Sequence, residues 1–139
     1  MEHSRRKAIW IVCSCILLVA GFSTYILLKT IWPGKGLPYE QITMEQAAEY
    51  MEYEEGYVLA DVRTRTEYEQ GHIPGAMCAP YSMLEETARD RLQDKEQMIY
   101  VYAGNRRDSK QAASLLCRMG YTNVTEIGSI AEWKGETER

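Results

Sequence analysis

Histidine and phenylalanine are almost missing from this chain. His3 and His72 are the only imidazoles among 139 residues, and one phenylalanine stands against ten tyrosines. Two isolated histidines, with no cysteine or carboxylate at ligand spacing beside them, exclude a metal centre of the usual kinds. No motif implies a cofactor. Positive charge is also short: Lys and Arg total 16 against 20 Asp and Glu, a net charge of −4. That argues against a nucleic-acid binder, because phosphate contacts need clustered cations. Cys13, Cys15, Cys78 and Cys117 lack the close spacing of a disulfide framework. Repeats and low-complexity stretches are absent as well. What remains is an ordinary globular composition, 45% hydrophobic and 26% charged, in a chain sized for one domain. Aromatic packing must rest on Tyr and Trp.

One long hydrophobic run is present. Ala8 to Leu28 carries no charged side chain and is rich in Ile, Leu and Val. About 20 apolar residues on a helix cross a bilayer core. Arg5, Arg6 and Lys7 precede the run, Lys29 follows it, and Trp10 and Trp32 bracket it where amphipathic rings favour the interface. A cleaved signal peptide has a shorter apolar core and a small-residue cleavage site, and Lys29-Thr30-Ile31-Trp32-Pro33 supplies none. The expectation is a single-pass anchor through residues 8–28. The more basic flank tends to stay in the cytoplasm, which puts the N-terminus inside and the remainder outside. Residues 1–31 then form a cytoplasmic tip and transmembrane helix. Residues 32–39, with Pro33, Gly34, Gly36 and Pro38, read as a linker. Residues 40–139 form the domain.

Within the domain, short helices alternate with short strands. Thr43 with Gln46 is a capping box that opens a helix to about Tyr53. Ser82 with Glu85 repeats the pattern and predicts a helix to about Leu92. Lys110 to Met119 predicts a helix with Ala112, Ala113, Leu116 and Met119 on one face, and Gly120 as its cap. Tyr57–Val62, Met98–Tyr102 and Val124–Ile127 are strand candidates, and Cys78 falls on a further short one. Ile130 to Lys134 suits a last short helix with Trp133 packed in the core. Strands separated by helices predict an α/β fold with a small parallel sheet flanked by helices.

In such sheets ligands bind at the carboxyl ends of strands. The loop after Tyr102 runs Ala103-Gly104-Asn105-Arg106-Arg107-Asp108 and enters a helix near Ser109. Amides at a helix N-terminus favour an anion, so Gly104, Asn105, Arg106, Arg107, Asp108 and Ser109 form a candidate anion-binding loop. By the same residues a solvated basic turn is an equal reading, since Asp108 lowers the positive charge.

Asp61-Val62-Arg63-Thr64, Glu67-Tyr68 and Gly71-His72-Ile73-Pro74-Gly75-Ala76 occur in order. Gly120-Tyr121-Thr122-Asn123-Val124 follows, with Gly128 and Trp133 beyond it. Together they resemble the signature of rhodanese-like domains, over about Gln41 to Gly135. The resemblance implies a small parallel-sheet fold and a sulfur-transfer chemistry. In that family a cysteine opens a six-residue loop after the strand. It takes sulfane sulfur from a donor such as thiosulfate, holds it as a persulfide and passes it on. Here the loop length is kept, and the aligned position is Ala103. A methyl group cannot attack sulfur. The resemblance also implies that Asp61, Arg63, His72 and Gly75 are structural signature residues.

Three function classes follow. The first is a catalytically inactive module that binds a small anion or a sulfur-carrying partner at the membrane. The second is a sulfurtransferase that works through Cys78 or Cys117. Both cysteines suit small buried hydrophobes better than nucleophiles. The third is a phosphatase, which related folds support. It fails for want of the cysteine and of the loop's terminal arginine, where Ser109 stands. The first reading is favoured.

Overall fold

A computed structural model describes residues 38–139. The expected span at residues 8–28 and most of the linker lie outside them. Among the described residues no helix is long and apolar enough to cross a membrane. Residues from Leu37 to Arg139 form one compact unit with its own core.

Five parallel strands make the sheet: β1 (Glu40–Gln41), β2 (Val58–Asp61), β3 (Met77–Cys78), β4 (Ile99–Ala103) and β5 (Val124–Ser129). Their order is β1-β5-β4-β2-β3. The helices are α1 (Met44–Tyr53), α2 (Arg65–Gln70), α3 (Leu84–Arg91) and α4 (Arg106–Arg118). Short 3-10 turns occupy Tyr81–Met83 and Ile130–Glu132. The expected parallel sheet with flanking helices is therefore present.

Side chains alternate across β4, as the strand period requires. Ile99, Val101 and Ala103 join Ala112, Ala113 and Leu116 of α4 in one core layer, with Leu84 and Ala88 of α3. Tyr100 and Tyr102 enter the opposite layer with Met44 and Ala47 of α1, Leu59, Ile73 and Ile127. Trp133 packs against that second layer, as expected. Both faces of β4 are covered, which explains its nearly continuous apolar run. Tyrosine carries the aromatic core: Tyr100, Tyr102 and Tyr121 are all buried. Tyr121 keeps its hydroxyl satisfied at the carbonyls of Leu92, 2.6 Å, and Ala88, 2.9 Å.

The capping box at Thr43 is formed as expected. Its hydroxyl accepts from the Gln46 amide at 3.1 Å, and the Gln46 side chain accepts from the Thr43 amide at 3.0 Å. The one expected at Ser82 is not formed. A 3-10 turn comes first, with the Met83 amide donating to Pro80 at 2.8 Å, and α3 starts at Leu84 without a side-chain cap. A further box, at Thr64 and Glu67, starts α2. Gly120, with φ +94°, lies just past α4 in the left-handed region where a side chain would be strained.

Thr64→Ala is expected to cost about 1 kcal/mol through the lost cap. Hydrogen bonds from the Thr64 hydroxyl, and then from its amide, hold the Glu67 carboxyl below its ordinary 4.5. A carboxyl depressed in the folded state contributes stability above its unfolded pKa, and that stability is lost as pH falls through the folded value. The difference in melting temperature between wild type and Thr64→Ala should therefore shrink on acidification below pH 4.5. A difference independent of pH would refute the assignment.

Candidate functional site

At the carboxyl ends of β2 and β4 lies a hollow of about 360 Å³. Val62, Arg63, Thr64 and Glu67 form one wall, and Pro80, Tyr81 and Ser82 a second. Ala103, Gly104, Asn105, Asp108 and Gln111 complete it. Ala103 is the last residue of β4, is 1% exposed, and belongs to the core layer under α4. The chemical group offered at the end of that strand is a methyl.

The loop differs from the expected one in where it becomes helix. α4 begins at Arg106, earlier than Ser109 or Lys110, because Asn105 is a strong N-cap. Its side-chain oxygen accepts from the amides of Arg107 and Asp108, each at 3.0 Å. Its amide nitrogen donates to Asp108 Oδ2 at 2.7 Å. The loop thus supplies from its own side chains the partners that a bound anion would otherwise take.

The six candidate anion-loop residues are divided by the geometry. Gly104, Asn105 and Asp108 line the hollow. Arg106 and Arg107 line a separate, shallower hollow with Tyr39 and Lys110. Ser109 is buried and donates to Glu126 Oε1 at 2.5 Å. Among the described residues, Arg63 is the one cation that lines the Ala103 hollow. It is already committed: Nη2 lies 2.6 Å from Asp61 Oδ2, Nε lies 3.0 Å from Oδ1, and Nη2 also donates to the Gly71 carbonyl at 2.7 Å. Burial works against the Arg63 charge, but the hydrogen bonds and charge of Asp61 outweigh it and hold the guanidinium above its ordinary pKa. Glu67 and Asp108 bring negative charge to the same hollow. This is poor chemistry for an oxyanion.

The contacts of the other signature residues are local. Asp61 is fully buried and also accepts from the Arg63 amide at 3.0 Å, closing the turn after β2. The His72 ring stacks on Tyr68 at 3.7 Å between centroids. Its Nδ1 lies 3.0 Å from the Tyr68 carbonyl, and its Nε2 lies 3.4 Å from Glu138. Gly75 has φ +76° and donates its amide to Glu138 at 2.8 Å.

Both described cysteines lie away from Ala103. Cys78 is level with Asp61, which is level with Tyr102. It is thus two strands from β4, about 10 Å at the usual strand spacing. Burial pushes its thiol up, against a smaller opposing effect of Arg65. Cys117 sits near the far end of α4, its Sγ 3.2 Å from the Pro38 carbonyl. Burial raises its pKa as well. A raised pKa removes thiolate, which is the nucleophile. Among the described residues no cluster of His, Cys, Asp or Glu could hold a metal ion.

Residues 43–136 match the family model for the rhodanese-like domain. The thiosulfate sulfurtransferase PspE of Escherichia coli is 35% identical over 72 residues, which cover 52% of this chain and 69% of that protein. YqhL of Bacillus subtilis is 30% identical over 125 residues, covering 87% of this chain and 91% of that one. Among solved structures, a crystal structure of the Alr3790 protein from Anabaena superposes with a TM-score of 0.65. It is 33% identical and covers 70% of this chain and 90% of its own. With the family model spanning most of the chain and the expected fold present, the protein belongs to the rhodanese-like domain family.

Proposed function

We propose that this is a membrane-anchored rhodanese-like domain that binds a partner and does not transfer sulfur. The carrying observation is Ala103 at the end of β4, at the floor of the hollow. Persulfide chemistry needs a thiolate there, and the two described cysteines lie elsewhere with raised pKa values. The hollow's charge speaks for a partner protein, a sulfur carrier included, over a free oxyanion. Tyr81, 44% exposed, adds apolar surface to its lining.

A thiosulfate:cyanide assay on the segment from Leu37 tests the reading. The rate is expected to equal that without enzyme. Turnover that disappears in Cys78→Ser or Cys117→Ser would overturn it and establish a relocated nucleophile.

The anchor is supported by the uncharged run Ala8 to Leu28 and its basic flanks. Full-length protein is expected in the membrane pellet after a carbonate wash, with the segment from Leu37 in the supernatant. Protease added outside intact cells is expected to digest the domain. A domain protected until lysis would reverse the orientation, and release by carbonate would refute the anchor.

A further inference from the structure

We propose that Glu126 and Glu132 set the ligand preference of the Ala103 hollow by holding Arg106 away from it. The proposal rests on the hollow being this domain's binding site. Arg106 directly follows Asn105, which lines the hollow. Its guanidinium nevertheless lies against β5 and the turn after it. Nη2 is 2.9 Å from Glu132 and Nη1 is 3.5 Å from Glu126.

Three features build a receptacle for this side chain. First, Glu126 is fully buried within β5, and its other carboxylate oxygen accepts from Ser109 in the first turn of α4 at 2.5 Å. A buried carboxylate is costly without such partners, so its position is fixed from both sides. Second, β5 bulges at this place. Val101 is level with Glu126, but Tyr102 is level with Gly128, which leaves Ile127 as the extra residue. A bulge re-aims the chain that follows it. Third, Gly128 takes φ +102°, and a Cβ there would stand 2.7 Å from Arg106 Nη2. The strand gives up a side chain where the guanidinium lies.

The consequence is electrostatic. With Arg106 withdrawn and Arg63 engaged by Asp61, the hollow presents Glu67 and Asp108. An arginine turned inward would supply the charge-assisted donors that recognise an oxyanion or thiolate. Glu126 and Glu132 therefore select against anions without touching the ligand.

A reporter thiol reads this directly. Ala103→Cys is placed in the Leu37–Arg139 segment with Cys78→Ser and Cys117→Ser, and its pKa is measured from the pH dependence of iodoacetamide alkylation. Adding Glu132→Gln is expected to lower that pKa by about half a unit or more, as a cation comes near. Adding Arg106→Ala to this variant should cancel the drop, which separates a moving arginine from the mere loss of a negative charge. Arg106→Ala without Glu132→Gln should leave the pKa unchanged. The exposed Glu132→Lys is a second way to release Arg106 should Glu132→Gln fold poorly. A pKa raised by Arg106→Ala alone, or one unmoved by either Glu132 variant, would overturn the proposal. Sulfurtransferase turnover by the wild type would overturn the inactive reading but leave these comparisons intact, so the two failures are distinguishable.

Discussion

Ala103→Cys is expected to create the most reactive thiol in the domain, alkylating at pH 7 roughly tenfold faster than Cys78 or Cys117, because one pKa unit is a tenfold change in thiolate. The new sulfur would stand at the end of β4, just before the amides that open α4. A helix N-terminus stabilises a thiolate. Burial does the opposite to Cys78 and Cys117, and at position 103, 1% exposed, it works against the helix as well. The gain is bounded. Asn105 already caps the amides of Arg107 and Asp108, and Glu67 and Asp108 line the same hollow. Weak turnover with thiosulfate is the most expected of the single variant. Mass-spectrometric mapping of alkylated peptides checks the order of reactivity. Equal labelling of all three cysteines would show that the loop no longer favours an anion at this position.

Asp61→Ala is expected to lower stability by about 3 kcal/mol or more, because removing one partner of a buried pair leaves the other charge uncompensated. Asp61 is fully buried, and the Arg63 side chain is only 9% exposed. For a domain of this size that corresponds to a fall of roughly 12 °C or more in melting temperature. Adding Arg63→Met should recover part of the loss, since the stranded guanidinium is then gone. Thermal melts of the four proteins in the cycle measure this. An Asp61→Ala loss below about 1 kcal/mol would mean that the pair contributes no more than a surface ion pair.

Local patterns were legible where they were self-contained. Thr43 and Gln46 lie in one helical turn, so their mutual capping needs nothing from the rest of the chain. Ser82 and Glu85 carry the same pattern, yet Pro80 and the turn at Tyr81–Met83 take the backbone first. The start of α4 differs from the sequence expectation for a related reason. Asn105 is a good cap in sequence, and its side chain serves the helix amides. The helix instead began at Arg106 and carried Ser109 inside. Thr64 and Glu67 carry a readable signal of the same local kind, and Glu126 is a charge within an apolar strand.

By itself the sequence determined the family, the parallel α/β order and the absence of a thiol after β4, because each depends on residue identity and on spacing along the chain. It also determined that tyrosine would carry the aromatic core. Only the tertiary structure decided where the charges of the loop go. Arg106 is 20 residues from Glu126, and the two meet because β5 lies beside β4 and bulges after Glu126. Arg63 reaches both Asp61 and the Gly71 carbonyl through the turn that closes β2. An arginine's partner is set by which strands are neighbours and by which residue leaves room. That is why a loop that reads as basic along the chain opens, once folded, onto a hollow lined with carboxylates.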